Sequence, residues 1–294
     1  MTMFAQHAVD ALTLASLFAL FALGIALVFG IMQLANFAHG ELIMVAAYSV
    51  YFLDDLPRPL VIIFATISAV ALALVLERVA FRPLRDATPA TLLVSSFAVS
   101  FLLQSLARLL IGSRPRSTNG IAGASRSFEV AGVSVPVLSL ITLVTTLVML
   151  AGLGAFLTRT AMGRQLRACA EDFRMARLLG VRPNRVIATA FGISGLLAGA
   201  ASLLYVSQTG TVTPSVGLSP VIFGLMAAVV GGLGSLEGAV LGGLLLGILS
   251  VTLQVALPLE LRPYRDALLF AAILAIMVLR PHGLIVPASA RTRV

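Results

Sequence analysis

Ionisable side chains leave long gaps along this chain, and the gaps outline its architecture. No Asp, Glu, Lys or Arg lies between Asp10 and Glu41, between Arg58 and Glu77, or between Asp86 and Arg108. Further gaps cover residues 130–158, 186–236, 238–259 and 267–279. A helix needs about 20 largely apolar residues to cross a bilayer, because lipid offers backbone N–H and C=O groups no partner. Most of the gaps reach that length, and 186–236 has room for two crossings. The pattern predicts spans near 9–33, 40–53, 60–80, 89–111, 136–157, 185–206, 217–235, 238–257 and 264–280. The second is short enough to be re-entrant. The ninth spans if Tyr264 and Arg265 lie at one interface and Arg280 snorkels at the other. The fold class is all-α: a polytopic integral membrane protein of about 8–9 transmembrane helices, with residues 1–294 forming a single transmembrane domain.

Composition agrees. Apolar residues make up 59% of the 294 and charged residues 11%, against about 25% charged in a soluble domain. All 20 basic residues are arginine. With the N-terminus outside and nine crossings, Arg78, Arg82 and Arg85, the seven arginines from Arg159 to Arg185, and Arg280, Arg291 and Arg293 fall inside, 13 against 7 outside. That excess follows the positive-inside rule and places the C-terminus in the cytoplasm. The net charge of +8 thus sorts with topology and calls for no nucleic acid. Residues before the first span lack the basic region of a secretory signal, so no cleavage is expected. Without lysine the chain supplies neither a P-loop nor a Schiff base; any ATP would be hydrolysed by a separate subunit. Cys169 is alone, which excludes a disulfide framework or Cys-based metal site within the chain. We expect no metal and no catalytic residue.

The loop at about 158–184 is the most informative. Helix formers dominate from Arg164 to Leu179, Gly180 suits the position just past a helix end, and Pro183 stops continuation. Glu171 and Asp172, placed in mid-helix, would pair with Arg167 and with Arg174 to Arg177 at three- or four-residue spacing. Phe173, Met175, Leu178 and Leu179 give an apolar side. This predicts a short amphipathic helix pair on the inner face, serving either as an anionic-lipid contact or as a docking helix for a cytoplasmic partner.

Four motifs follow one another along the chain. The run Leu34-Ala35-Asn36-Phe37-Ala38-His39-Gly40-Glu41-Leu42 is preceded by Ala22-Leu23-Gly24 and Val28-Phe29-Gly30 and followed by Ala47-Tyr48. Ala170-Glu171-Asp172, Ala176 and Leu179-Gly180-Val181 form a degenerate E-A-A…G loop. Gly231-Gly232-Leu233-Gly234-Ser235, Gly238-Ala239 and Gly242-Gly243 form a glycine-rich segment, and Arg280-Pro281-His282-Gly283-Leu284 closes the set. Together they resemble the permease subunits of bacterial ABC importers for branched-chain amino acids. Ala46 stands where that family usually has glycine.

The resemblance implies a subunit of the inner membrane that works with a second, related permease (the same or different), two cytoplasmic ATPases and a periplasmic substrate-binding protein. ATP and magnesium would sit on the ATPases, and no cofactor on this chain. Arg164, Arg167, Ala170, Glu171, Asp172, Ala176, Leu179 and Gly180 would form the ATPase-coupling loop. The cargo would be leucine, isoleucine or valine; related permeases for urea, amides or aromatic acids keep those alternatives open.

Four further readings come from the residues themselves. Asn36, His39, Gly40 and Glu41 lie between two apolar spans, where ionisable groups usually face a cavity or partner. They line the substrate path or its gate, or they are a polar turn at the cytoplasmic interface; Glu237 poses the same choice. Gly195 and Gly199, Gly234, Gly238 and Gly242, and Gly243 and Gly247 stand four apart, the spacing that lets membrane helices approach closely. Gly192-Ile193-Ser194-Gly195 matches an intramembrane serine protease, a reading that requires Ser194 to meet His39, which the expected cytoplasmic turn makes remote. A secondary carrier would need carboxylates inside spans, and Asp and Glu sit almost wholly at span ends.

Overall fold

Each predicted apolar run becomes a helix, but not every helix is long enough to cross. The computed structural model describes residues 2–33, 36–85, 87–118, 120, 126–130, 132–280 and 283–285. Leu34, Ala35, Pro281 and His282 of the motifs and the tail arginines Arg291 and Arg293 lie outside the described residues. The helices are α1 (Thr2–Met32), α2 (His39–Phe52), α3 (Arg58–Leu76), α4 (Pro89–Ile111), α5 (Val137–Arg159), α6 (Ala161–Glu171), α7 (Phe173–Leu178), α8 (Pro183–Thr209), α9 (Leu218–Gly231), α10 (Leu236–Ala256) and α11 (Arg265–Leu279). Among the described residues, six of these helical runs are long and apolar enough to cross a membrane: α1, α3 with its continuation to Leu84, α4, α5, α8 and α10. At 1.5 Å per residue, the 14 residues of α2 and of α9 cover about 21 Å, short of the ~30 Å hydrocarbon layer.

Local chemistry sets the boundaries. Pro89 and Pro183 occupy first-turn positions where no N–H is needed, and the Thr88 hydroxyl accepts from the Thr91 amide at 3.3 Å. Gly210 ends α8 in the left-handed region at φ +65°. The segment between α4 and α5 carries short strands. β2 (Ser127–Val130) and β3 (Val133–Pro136) make an antiparallel hairpin, and β1 (Arg116–Ser117) pairs with β4 (Thr211–Val212). The β-branched residues Val133 and Val135 favour that extended form.

The long helix α1 is the hub, buried along most of its length and flanked by α5, α8, α9 and α10. α3 lies on α8 and α2, while α4 sits at the periphery against α2. Outward faces of α3, α4 and α5 are apolar and exposed, with Val75, Leu109, Leu110 and Val148 on the surface, as suits a hydrocarbon solvent. Lipid gives helices no hydrophobic reason to associate, so close packing does the work. Gly243 and Gly247 of α10 lie on the backbone of Ala19 and Ala15, and Gly195 and Gly199 of α8 on that of α3 from Thr66 to Val70. Gly242 packs on the Ala227 carbonyl, and Gly238 on Gly231.

Contacts between loops sort into two ends of the bundle. At one, the Ser134 amide donates to Gln6 and β1 pairs with β4. At the other, Gly30 faces Gly234, Arg85 bonds Asn184 and Glu77, and the Leu284 and Ile285 amides donate to the Val230 and Gly231 carbonyls at 2.8 and 3.0 Å.

A Cβ on Gly247 would lie 2.3 Å from the Ala15 Cα. Gly247→Leu should therefore push α10 off α1 and cost about 1–3 kcal/mol or more, read as a lower unfolding midpoint in detergent. Gly152→Ala, whose Cβ meets nothing within 4 Å, should leave the midpoint unchanged or slightly raised.

Candidate functional site

The polar segment after α1 turns back into the bundle. Gln33 adopts φ +52°, and a tight turn follows in which the Asn36 carboxamide oxygen accepts from the Ala38 amide at 3.0 Å. The amides of His39, Gly40 and Glu41 bond the carbonyls of Asn36, Phe37 and Ala38, starting α2 only a few residues after α1 has ended. Of the two readings the sequence leaves open for this segment, the surface turn does not fit its burial. The His39 Nδ1 lies 3.1 Å from the Ser194 hydroxyl, near the middle of the 27-residue α8. The Glu41 Oε1 accepts from Ser100 at 2.6 Å and Gln104 at 2.9 Å, and Ser100 is the midpoint of α4. A residue eleven positions inside a helix is about 16 Å from its end. His39 and Glu41 therefore sit at mid-depth, each 2% exposed.

Backbone contact explains how α2 can begin there. Gly40, in its first turn, touches Gly217, the residue that opens α9. A Cβ on Gly217 would lie 1.8 Å from the Gly40 carbonyl oxygen. Two half-length helices thus meet by their N-termini inside the bundle. α2 is held on its flanks by the Ser202 hydroxyl, which donates to the Ile43 carbonyl at 2.8 Å, and by stacking of Phe37 on Phe97 at 3.9 Å.

Ser194 and His39 do meet, contrary to the sequence expectation, because His39 is not on a surface turn. Their geometry is that of a strut. The Ser194 hydroxyl donates to the Gly24 carbonyl at 3.0 Å, so it accepts from a protonated His39 Nδ1. Gly24 leaves the imidazole its space, since a Cβ there would lie 2.7 Å from the ring. One hydroxyl thereby joins α1, α2 and α8.

Sequence reading missed the partner face on α4. Ser96, Ser100, Gln104 and Arg108 recur every four residues, one polar stripe along an otherwise apolar helix, and that period was the available signal. The Ser96 hydroxyl accepts from the Phe37 amide at 3.4 Å. Arg108 reaches Gln104 at 3.4 Å and pulls electrostatically on Glu41. The second Glu41 oxygen, Oε2, is buried without a partner among the described residues, as is the Tyr48 hydroxyl two turns further along α2.

The 158–184 loop forms two helices, with a correction at their junction. α6 ends at Glu171, and Asp172 leaves the helical region at φ −146° and caps α7, its carboxylate accepting from the Met175 amide at 2.9 Å. Among the described residues, no arginine comes within ion-pair distance of Glu171 or Asp172. Gly180, at φ +85°, closes α7 with paired bonds, Gly180 amide to Arg177 and Val181 amide to Ala176. Gly163, Leu166, Cys169 and Ala176 face inward, and burial pushes the Cys169 thiol up, keeping it neutral. Met175, Leu178 and Leu179 are exposed beside Arg164, Arg167, Ala170 (half-buried), Arg174 and Arg177. Glu237 is exposed in the first turn of α10, away from the Glu41 cluster. Among the described residues, no three His, Cys, Asp or Glu gather as metal ligands.

Comparison with known proteins places these features. Residues 7–277 match the family described as branched-chain amino acid transport system / permease component. The high-affinity branched-chain amino acid transport system permease protein BraD of Pseudomonas aeruginosa is 34% identical, covering 95% of each chain. The permease LivH of the corresponding system of Escherichia coli is 35% identical over 96% of this chain and 95% of its own. The xylose transport system permease XylH of Escherichia coli matches more locally, 36% identical over 40% of this chain and 30% of its own. No solved structure matches.

Ser194→Ala should strand the His39 N–H and remove the second bond to the Gly24 carbonyl, costing about 1–3 kcal/mol, seen as a lowered unfolding midpoint. A fluorophosphonate probe should leave wild-type Ser194 unlabelled; covalent labelling there would mark a nucleophile instead of a strut.

Proposed function

The chain belongs to the family of permease components of branched-chain amino acid transport systems, and on that premise we propose that it carries leucine, isoleucine or valine across the bacterial inner membrane as the translocating subunit of an ABC importer. Its partners are a second related permease, two cytoplasmic ATPases that bind ATP and magnesium, and a periplasmic substrate-binding protein. The observation that carries the reading is the polar break at mid-depth: two half-helices meeting at Gly40 and Gly217 beside the buried carboxylate of Glu41. Discontinuous helices with a buried ionisable group are how transporter bundles make a crossing point for a polar solute. The loop end bearing α6 and α7 faces the cytoplasm, as its arginines favour, and the N-terminus faces outside.

Coupling runs through covalent and packed links. α6 packs on α5, α8 and α1, and α7 leads through Pro183 directly into α8. α8 carries Ser194, which holds His39 at the start of α2. An ATPase that docks on Met175, Leu178 and Leu179 and closes on nucleotide would move α8 and so the α2–α9 junction. Nucleotide binding supplies the differential free energy between outward and inward openings.

Two measurements test this. The Glu171→Arg, Asp172→Arg variant should lose co-purification of a P-loop ATPase that wild type recovers, with unchanged elution from a sizing column. Glu41→Gln should keep the ATPase and lower leucine uptake by about tenfold or more, the scale of a lost hydrogen bond to a charged group. Full uptake by Glu41→Gln would place the path elsewhere, and failure of wild type to recover any ATPase would end the importer reading.

A further inference from the structure

A chamber of about 500 Å³ opens between the α6 end of α1, the C-terminal half of α5, α6 and the α9–α10 turn. Its volume is within the range of small-molecule sites, ~300–1,000 Å³. Its walls are apolar, with Leu27 from α1, Leu153 from α5 and Leu166 from α6, whereas Arg167, Glu171 and Glu237 line it as well. Among the described residues none of these three is in an ion pair. No lining residue comes from α2, α3, α4 or α8, so the chamber is separate from the Glu41 cluster.

The charge pattern selects the occupant. Two carboxylates against one guanidinium disfavour an anionic lipid headgroup. An ammonium suits Glu171 and Glu237, a carboxylate suits Arg167, and a branched aliphatic group suits the leucine-lined interior. We propose that the chamber binds a small zwitterion with an aliphatic side chain, an amino acid entering from the side of α6 and α7. The ligand bridges α6 to the α9–α10 turn and restrains the helix pair on which the ATPase docks, so accumulated cargo slows its own import. This regulatory role rests on the transport reading above; the binding site does not.

The test is photocrosslinking of the full chain in lipid nanodiscs with a diazirine analogue of leucine, mapped by mass spectrometry. Adducts are expected on residues 150–171 and 234–237. Leucine should compete for them, whereas isocaproate, which lacks the ammonium, and leucinol, which lacks the carboxylate, should not. Leu153→Trp should abolish the adducts by filling the chamber. Glu237→Gln, a milder change on an exposed side chain, should weaken leucine competition about tenfold. Adducts confined to α2 and α4 would overturn the chamber and leave the transport path standing. Equal competition by isocaproate would make it a greasy cleft, and no adduct at all would also overturn it. In vesicles of the assembled transporter, preloaded leucine should slow entry several-fold in wild type but not in Glu237→Gln. Equal slowing in both would overturn the regulatory role, whereas absence of any uptake would overturn the transport reading and the regulatory role with it, leaving the binding site to the adducts.

Discussion

The contact between Gly40 and Gly217 is the constraint on which the middle of this bundle depends. Backbone touches backbone there, and a methyl group on either residue would force the two elements apart. Because α2 and α9 both begin at that contact, two helix N-termini, each carrying partial positive charge, converge in a low-dielectric interior. The first turn of α9 holds no acidic residue, and that of α2 holds Glu41. The carboxylate thus offsets a field that the fold itself creates, while keeping Oε2 free for something else. Asn36 and Ser194 complete the arrangement by fixing the turn and the imidazole beside it.

Around that junction the packing follows from the solvent. In hydrocarbon a leucine gains little by moving from lipid to protein, so affinity between helices comes from backbones brought close together. α1 meets α10 through Ala15, Ala19, Gly243 and Gly247, and α8 meets α3 through Gly195 and Gly199. Large side chains such as Phe21, Leu23 and Phe191 fill the space between the helices, and others cover the outside of α3, α4 and α5.

The helices were legible in the sequence because charge is so costly in lipid that its absence traces each run. Depth was not legible. The gap at 186–236 has room for two crossings, and nothing in its composition says that α9 stops short of spanning. For the same reason the sequence leaves the His39 segment open between a path and a surface turn and makes its meeting with Ser194 remote, whereas the short α2 places it at the level of mid-α8. The loop at 158–184 shows the complementary failure. Helix formers on both sides hid the break at Asp172, although an aspartate three residues before the Met175 amide is a capping signal. The glycine past its end, Gly180, was plain because only a left-handed residue closes a helix that way.

The Leu284 and Ile285 amides satisfy the last carbonyls of α9, which have no helical partner of their own. Residues 283–285 are therefore a strap on the C-terminal end of a half-helix. A fluorophore attached at residue 285 rides on α9 and reports its tilt, whereas one on the hairpin of β2 and β3 would report only the tumbling of the whole molecule.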